Sequence, residues 1–341
     1  MIDTAVRNID RKKVKRKTQK MKKKMKGNFR KIFTPFKVKL LRKTLIVPKE
    51  GNRLPVYTLT FENPHGLYKT CRIVKGDVIK VVVPNYKPKS FSMSAERENE
   101  FDITLKIYPN GRASGYLDSI LIGGEIEVFR MGVKKRQAGG EMLGIISFGV
   151  GITETLPVVA HELERGALNG FGEGEESGVK NVIFVWASKT KLDIFWHNKI
   201  KQLQKKYGQR FKFITMLSRE YFSNDDGKGI LDYADDIMYG KRINNRQLIA
   251  NIFDHSWGTY YGGPNQHLRN KVRWLYVGEK KVMKEIEGLI NENGYSVGKG
   301  FGENSYFVDD PILQKEMKRK RMNAKMNKPD TNTTIVMAAR L

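Results

Sequence analysis

Cysteine is almost absent from this sequence of 341 residues, which contains only Cys71. A single thiol excludes an intrachain disulfide framework and a zinc site built from several cysteines. Four of the five histidines, at positions 161, 197, 255 and 267, are scattered without the spacing of metal ligands. We therefore expect no bound metal, and a lone cysteine is typical of a protein in a reducing compartment.

Long apolar runs are also missing. No segment reaches the roughly 18 uncharged apolar residues that a membrane-spanning helix requires. Residues 144–159 come nearest, but Gly149, Gly151, Glu154 and Pro157 interrupt them. We interpret this stretch as a buried strand followed by a turn, and we expect no transmembrane segment.

Acidic residues are scarce at both ends of the chain. Residues 1–43 hold 18 lysines and arginines against two acids, and residues 315–341 hold 8 against two, whereas the whole chain has a net charge of +27. The central part is nearly balanced. The charge distribution therefore predicts a basic N-terminal extension over 1–43 and a basic C-terminal tail over 309–341.

Blocks of like charge stay extended until they meet a polyanion. An acidic protein surface, a large assembly, nucleic acid and an anionic membrane face are all compatible partners, although no base-reading motif accompanies the charge. A solvated tail that only aids solubility is the alternative. Serine is scarce and Asp3 and Asp10 are present, which is untypical of a mitochondrial or plastid targeting segment. We expect an intracellular protein in a reducing compartment, with a mitochondrion or plastid as one option, that is membrane-peripheral or complex-bound.

Residues 44–136 are predicted to form a β-rich domain. Short runs rich in β-branched residues are separated by proline, glycine and asparagine: Thr44–Val47, Val56–Phe61, Thr70–Val74, Val78–Val83, Phe101–Tyr108 and Glu125–Phe129. This punctuation is typical of a barrel or sandwich. A short helix is predicted over Ser114–Ser119, after a glycine turn.

Residues 137–308 have a different pattern, in which buried strands alternate with helices. The predicted strands are Leu143–Phe148, Val179–Ala187, Phe211–Leu217 and Trp274–Gly278, and the predicted helices run to Leu163, over about 192–206 and over Lys281–Asn293. Such alternation predicts an α/β domain with a doubly wound parallel sheet.

Residues of about 231–270 fit neither pattern. They are polar and hold Tyr239, Trp257, Tyr260 and Tyr261, so we interpret them as an insertion with a helix near 244–253. Its aromatic loop is either a partner-binding face or ordinary packing.

Two short segments could bind a flavin dinucleotide. Lys89-Ser90-Phe91-Ser92 places a cation, an aromatic ring and a hydroxyl on one extended strand. Gly111-Arg112-Ala113-Ser114 is a glycine turn that opens a helix, whose first N–H groups suit a phosphate. Each segment alone is weak evidence, because such patterns are more often simply core or surface.

The order of these segments carries a resemblance. Lys89–Ser92, Phe101–Tyr108, Asn110–Leu117 and Ile122–Val128 together resemble the flavin domain of the cytochrome b5 reductases and plant-type nitrate reductases, within the ferredoxin–NADP reductase superfamily. The resemblance implies bound FAD. It implies that Phe91 covers the ring and that Ser92 lies near the flavin N5 as the catalytic residue. The other implied FAD-binding residues are Lys89, Lys106, Tyr108, Gly111, Arg112, Ala113 and Ser114.

The second half continues the resemblance. Phe148–Glu154 is similar to the family's Gly-Gly-Thr-Gly-Ile-Thr-Pro turn under the nicotinamide dinucleotide, and Val277–Glu279 falls where the family has Cys-Gly-Pro. The implied NAD(P)-binding residues are Gly149, Gly151, Ile152, Thr153, Ala187, Ser188 and Gly278.

Several departures from the family pattern affect these sites. Lys89 stands for an arginine and Phe91 for a tyrosine, which weakens FAD binding by removing a bidentate fork and a hydroxyl. On the nicotinamide side the departures are Phe148, Val150, Glu154, Val277 and Glu279. We expect Glu154 to repel a phosphate and to satisfy the helix N-terminus itself. FAD binding is therefore expected to persist, whereas NAD(P)H binding is expected to be impaired.

Two main functions follow. The first is an FAD-dependent NAD(P)H oxidoreductase that passes hydride to the flavin and electrons to a one-electron protein acceptor, and that docks through its basic tails on an acidic assembly. The alternative is a catalytically degenerate reductase-like protein, with or without FAD, that serves as a structural or linker subunit of a large complex. A nucleic-acid-binding protein with a recruited reductase fold is a third interpretation.

Overall fold

The structure, a computed structural model, describes residues 35–63, 78–130, 141–170, 178–221, 231–259 and 266–295. Within these ranges the chain forms one antiparallel sheet of seven strands and one parallel sheet of five. The predicted strand Thr70–Val74, most of the N-terminal extension and the whole C-terminal tail lie outside the described residues. In the described ranges, no helix is long and apolar enough to cross a bilayer.

The antiparallel sheet comes from the first half of the chain. Its strands are β1 (Phe36–Val47), β2 (Val56–Glu62), β3 (Val78–Val81), β4 (Lys89–Ser92), β5 (Ala95–Arg97), β6 (Glu100–Lys106) and β7 (Glu125–Arg130). They lie in the order β4-β3-β7-β1-β2-β6-β5. Inside the sheet, the rings of Phe61 and Phe101 stack with their centroids 5.4 Å apart. This is the predicted barrel-like domain, in an open form with β4 and β5 at its edges.

The first strand begins earlier than the sequence pattern indicated. Residues 36–43 were assigned to the basic extension, but they form the first part of β1. Val38 and Leu40 are fully buried, while Lys37 between β1 and β7 pairs with Glu125 at 3.0 Å. The alternation of apolar and basic residues is that of a half-buried strand. The domain boundary therefore moves from 44 to about 36.

The parallel sheet comes from the second half of the chain. Its strands are β8 (Met142–Phe148), β9 (Asn181–Ser188), β10 (Phe211–Leu217), β11 (Asp236–Tyr239) and β12 (Val272–Val277), in the order β11-β10-β9-β8-β12. Every neighbouring pair is parallel. The strands are apolar almost throughout because a parallel sheet is covered on both faces.

Helices cover both faces of this sheet and one end of the barrel. They are α1 (Arg112–Ser119), α2 (Ile152–Asn169), α3 (His197–Tyr207), α4 (Arg246–Ile249), α5 (His255–Trp257), α6 (Gln266–Asn270) and α7 (Lys280–Glu292). A π-helical turn, Ala250–Asp254, joins α4 to α5. Helices α2 and α3 pack on the face that carries Phe184, and α4, α5 and α7 pack on the face that carries Trp274. The predicted doubly wound α/β domain is confirmed.

The segment interpreted as an insertion is part of the α/β domain. Its residues Asp236–Tyr239 form β11, which extends the sheet beside β10. Trp257 is buried and lies edge-on to Trp274 with ring centroids 5.9 Å apart. Ordinary packing, rather than a partner-binding face, therefore accounts for Trp257, while Tyr260 and Tyr261 lie outside the described residues.

The two sheets share a packed boundary. Val47 and Val56 of the barrel belong to the same buried cluster as the α2 and α3 side of the α/β domain. The guanidinium of Arg53 also donates to the carbonyl of Leu192 at 3.3 Å. The contact with Leu192 places a barrel residue beside the segment that follows β9, at the carboxyl end of a parallel strand, where ligands bind in open α/β sheets.

Candidate functional site

Strand β4 carries the first predicted ligand segment at the edge of the barrel. Its register with β3 pairs Ser92 with Val78 and Lys89 with Val81. The Phe91 ring is half-buried against the barrel core, and Lys89 is exposed. The strand therefore presents a cation, an aromatic ring and a hydroxyl along one free edge.

The start of α1 carries the second predicted segment. Gly111 is the N-cap, no side chain caps it, and its first turn holds no acidic residue. The Ser114 hydroxyl accepts from the Tyr108 N–H at 3.2 Å, and a Cβ at Gly111 would collide with that hydroxyl. Ser114 thus holds the turn with its side chain, and an anion would meet backbone N–H groups.

A cation–π contact brings these two segments together. The Arg112 guanidinium lies 4.6 Å from the ring centroid of Tyr86, and Tyr86 sits in the loop that leads into β4. Lys89 follows Tyr86 by three residues along the chain. A cation beside an uncapped helix start forms a suitable environment for a pyrophosphate.

Barrel residues predicted to line the flavin also meet the α/β domain. Ser92 Oγ donates to Glu154 Oε2 at 2.8 Å, and Lys106 Nζ lies 3.7 Å from Asp193 Oδ1. Burial, with a smaller contribution from the Glu279 charge, raises the pKa of Tyr108. Each of the three barrel residues thus lies near an acidic residue of the second domain.

Two carbonyls of the glycine turn after β8 accept hydrogen bonds from within the protein. Gly149 adopts a φ of +52°, and its carbonyl accepts from Trp186 Nε1 at 2.8 Å. Thr153 Oγ1 donates to the Val150 carbonyl at 2.8 Å. A Cβ at Gly151 would lie 2.8 Å from the Val277 carbonyl, so this glycine is required by the approach of β12.

Glu154 does not play the capping role expected from the sequence. The N-cap of α2 is Gly151, and no side chain caps it. Ile152 is buried in the core just after the turn. The carboxylate of Glu154 reaches across to Ser92 instead of closing the helix start.

The carboxyl end of β9 provides a buried polar atom. Ala187 is half-buried, and Ser188 is 7% exposed. Within the described part of the chain, Ser188 Oγ forms no hydrogen bond. A hydroxyl left in this state is suited to a polar ligand group.

Gly278 ends β12 under close packing. A Cβ there would lie 2.8 Å from Met283 Cε and 3.1 Å from the Phe148 side chain. Phe148 thus fills the space beside Gly278, next to the glycine turn.

Comparisons with known proteins show which proteins resemble this chain in sequence and in fold. No protein-family model matches the chain. Among curated proteins, a flavohemoprotein of Candida albicans is 25% identical over 56% of this chain and 43% of its own length. NADH-cytochrome b5 reductase 1 of Dictyostelium discoideum is 28% identical over 39% of this chain and 43% of its own length. The chain therefore spans less than half the length of these two relatives.

Solved structures match more of the chain. The cytochrome b5 reductase domain of Ulva prolifera nitrate reductase has a TM-score of 0.55 at 15% identity, over 80% of this chain and 97% of that domain. The flavohemoglobin of Malassezia yamatoensis, solved with bound FAD and heme, has a TM-score of 0.54 at 16% identity, over 79% of this chain and 59% of that protein. The chain has the ferredoxin–NADP reductase superfamily fold. The resemblance proposed from the motifs is confirmed at this level.

The boundary between the barrel and the α/β domain, here called the cleft, has Ser92, Lys106 and Tyr108 on one side and Glu154, Asp193 and Glu279 on the other. Residues on its two sides fit the expected groups to different degrees. The barrel side offers an uncapped helix start, Arg112 and Lys89, a set that suits FAD. The α/β side offers the Ser188 hydroxyl, but it also carries Glu154, which contacts Ser92, and Glu279, which lies near Tyr108. Charge repulsion makes this side a poorer match for a dinucleotide phosphate.

Two residues of the cleft escaped the sequence analysis. Tyr86 contacts Arg112 but sits in a turn between Pro84 and Pro88, where an aromatic residue carries no periodic signal. Asp193 faces Lys106 from a 3₁₀ turn, Lys191–Asp193, in which its carboxylate also accepts from Thr190. Asp193 was detectable as part of a Thr-x-x-Asp capping pattern, although that pattern does not indicate its partner.

Proposed function

We propose that the chain is an FAD-dependent NAD(P)H oxidoreductase that transfers hydride to the flavin and passes electrons singly to a protein acceptor. The observation that carries the proposal is the Arg112–Tyr86 contact, which joins the loop before β4 to the uncapped start of α1. The curated relatives named flavohemoprotein and NADH-cytochrome b5 reductase support this chemistry.

The barrel would hold FAD through named residues. Lys89, Arg112 and the backbone N–H groups of 112–114 would neutralise the pyrophosphate, while Phe91 would pack against the ring and Ser92 would lie by its reactive nitrogen. When bound, FAD supplies hydride acceptance and single-electron release. The protein's own residues bind and orient it and exclude water from the cleft.

The α/β domain would hold NAD(P)H less tightly. Gly149–Thr153 would approach the dinucleotide with backbone, and Ala187, Ser188 and Gly278 would border it. The carboxylates of Glu154 and Glu279 would repel the negatively charged phosphates of the dinucleotide. Glu154 also already accepts a hydrogen bond from Ser92. We therefore expect weak dinucleotide affinity, with either NADH or NADPH as donor.

The basic tails would direct the protein to an acidic partner. Residues 1–34 hold 14 lysines and arginines against two acids, and residues 315–341 hold 8 against two. Such charge would favour docking on an acidic assembly, with the protein intracellular and complex-bound or membrane-peripheral.

A second candidate function is a degenerate reductase that acts as a structural or linker subunit. The Ser92–Glu154 hydrogen bond favours it, because a carboxylate of the protein itself lies on the nicotinamide side next to Ser92. This candidate lacks turnover, with or without FAD in the barrel.

Anaerobic reduction of the purified chain separates the two functions. Visible absorbance of oxidised flavin is expected in the purified protein, and bleaching by NADH or NADPH is expected for the reductase. Flavin that stays oxidised with both donors would support the degenerate subunit, and a protein that takes up no FAD would contradict the reductase.

A charge-reversed variant localises the flavin. Arg112→Glu is expected to lower FAD occupancy because it places a carboxylate at the pyrophosphate. Lys205→Glu makes the same charge change on the exposed surface of α3 and is expected to leave occupancy unchanged. Equal occupancy in the two variants would contradict the assignment of the site.

A further inference from the structure

The hydrogen of the Ser92 hydroxyl is directed at Glu154. Ser92 Oγ lies 2.8 Å from Glu154 Oε2, and an ionised carboxylate only accepts hydrogen bonds. The serine must be the donor, and a hydroxyl has one hydrogen to give. Ser92 therefore keeps only its lone pairs for any further partner.

Both partners are held in place from opposite sides of the cleft. Ser92 is fixed by its β-ladder pairing with Val78, and Glu154 is fixed in the first turn of α2. Both are half-buried. A hydrogen bond in partly buried surroundings is stronger than one in water, so this donor direction persists.

The direction of one hydroxyl matters for a redox ring. An oxidised flavin presents a bare nitrogen at N5, which accepts a hydrogen bond, whereas the reduced ring carries a hydrogen there and donates. A neighbour that can only accept stabilises the reduced ring, and a neighbour free to turn can also stabilise the oxidised ring.

We propose that Glu154 is a positioning residue for Ser92 that fixes the serine as a hydrogen-bond acceptor toward flavin N5, and so raises the reduction potential of the bound flavin. The inference rests on the proposed function, which puts Ser92 beside N5. It assigns a role to a residue whose charge alone would only hinder dinucleotide binding.

Two substitutions of Glu154 separate its hydrogen-bonding role from its charge. The negative charge of Glu154 by itself disfavours a reduced flavin and lowers the potential. Glu154→Gln removes the charge but keeps an oxygen that accepts from Ser92, whereas Glu154→Ala removes both. The difference in flavin midpoint potential between these two variants therefore measures the effect of a Ser92 hydroxyl that is no longer held by residue 154.

The experiment measures the flavin midpoint potential of both variants with Ser92 present and in a Ser92→Ala background. With Ser92 present, Glu154→Ala is expected to lie below Glu154→Gln by up to tenfold in the reduction equilibrium constant, about 30 mV for a two-electron couple. In the Ser92→Ala background the two potentials are expected to coincide. Thermal melting of each protein checks that it is folded.

Three outcomes would count against the inference. Equal potentials with Ser92 present would overturn it, and so would a difference that persists unchanged in the Ser92→Ala background. Each of these results leaves the flavin-binding proposal intact. A chain that binds no FAD would overturn the proposed function and this inference together.

Discussion

Individual carboxylates of the α/β domain lie next to barrel residues across the cleft between the two sheets. Ser92, Lys106 and Tyr108 lie near Glu154, Asp193 and Glu279 respectively. Burial and, to a smaller extent, the charge of Glu279 raise the pKa of Tyr108, so its phenol keeps its proton to a higher pH than an ordinary tyrosine does. These contacts link the two domains, and the three carboxylates repel a phosphate in the cleft.

Restoring the family pattern at the glycine turn should strengthen dinucleotide binding. Glu154→Pro combined with Val150→Thr removes the carboxylate from the first turn of α2, where proline is tolerated. We expect a lower dissociation constant for NADH or NADPH, measured by titration. Glu285→Gln removes an exposed carboxylate from α7 and should have no effect. Unchanged affinity in the double variant would show that these residues do not limit binding.

Asp254 should be among the most important residues for stability. It pairs with Arg269 at 3.2 Å, both side chains are almost fully buried, and it accepts a short hydrogen bond from the Tyr295 hydroxyl. Asp254→Ala removes the carboxylate partner of a buried arginine, so we expect a loss of about 3–5 kcal/mol in the free energy of unfolding.

Urea unfolding measures that loss. Asp236→Ala is the matched control, because Asp236 is an exposed aspartate on β11 and should change stability by less than about 0.5 kcal/mol. Similar small losses in both variants would mean that the buried pair contributes little.

Among the elements, β1 was only partly predicted, because the basic residues in its first half resemble the basic extension that precedes it. A chain that begins at residue 35 should fold, whereas one that begins at 44 loses the buried Val38 and Leu40. Leu40→Ala alone should cost about 2–5 kcal/mol, as for other buried leucines. Lys39→Ala, on the exposed side of the same strand, should cost far less. Thermal melting compares the four proteins, and equal stability of the two truncated chains would place residues 36–43 outside the fold.

Long apolar elements could be predicted from the sequence, and short polar ones could not. Strand β10 has the predicted bounds because five of the seven residues of Phe211–Leu217 are apolar. Strand β11 has four residues and an exposed Asp236, so its only strong signal is its pairing with β10. The helix predicted from about 192 starts at His197, because Trp196 adopts a left-handed conformation with a φ of 61°.

The site was predictable in its parts but not in its contacts. Lys89–Ser92 and Gly111–Ser114 were identifiable because their residue types recur in one order within a family. The partners Glu154, Asp193 and Tyr86 belong to segments remote in sequence from the residues they meet. The contacts of Glu154 and Asp193 depend on how the two domains pack, and the contact of Tyr86 depends on how the barrel folds, and local sequence encodes neither.

For the whole molecule, the tails should dominate binding to polyanions. Affinity for heparin should fall steeply with salt because counterions are released on binding. Removing residues 1–34, which carry 14 lysines and arginines, should make that salt dependence much shallower. Lys205→Glu, a single change on the folded body, should alter it little. The same slope with and without residues 1–34 would assign the binding to the folded domains or to the basic residues of 315–341.

The molecule as a whole is best explained as a flavin-binding barrel packed against an α/β domain whose affinity for nicotinamide dinucleotides is low. A crystal structure grown with FAD tests this claim most directly. We predict the pyrophosphate at residues 111–114 beside Arg112, and the ring against Phe91 with N5 next to Ser92. Density that shows no FAD between these segments, with side chains filling the space, would contradict the account.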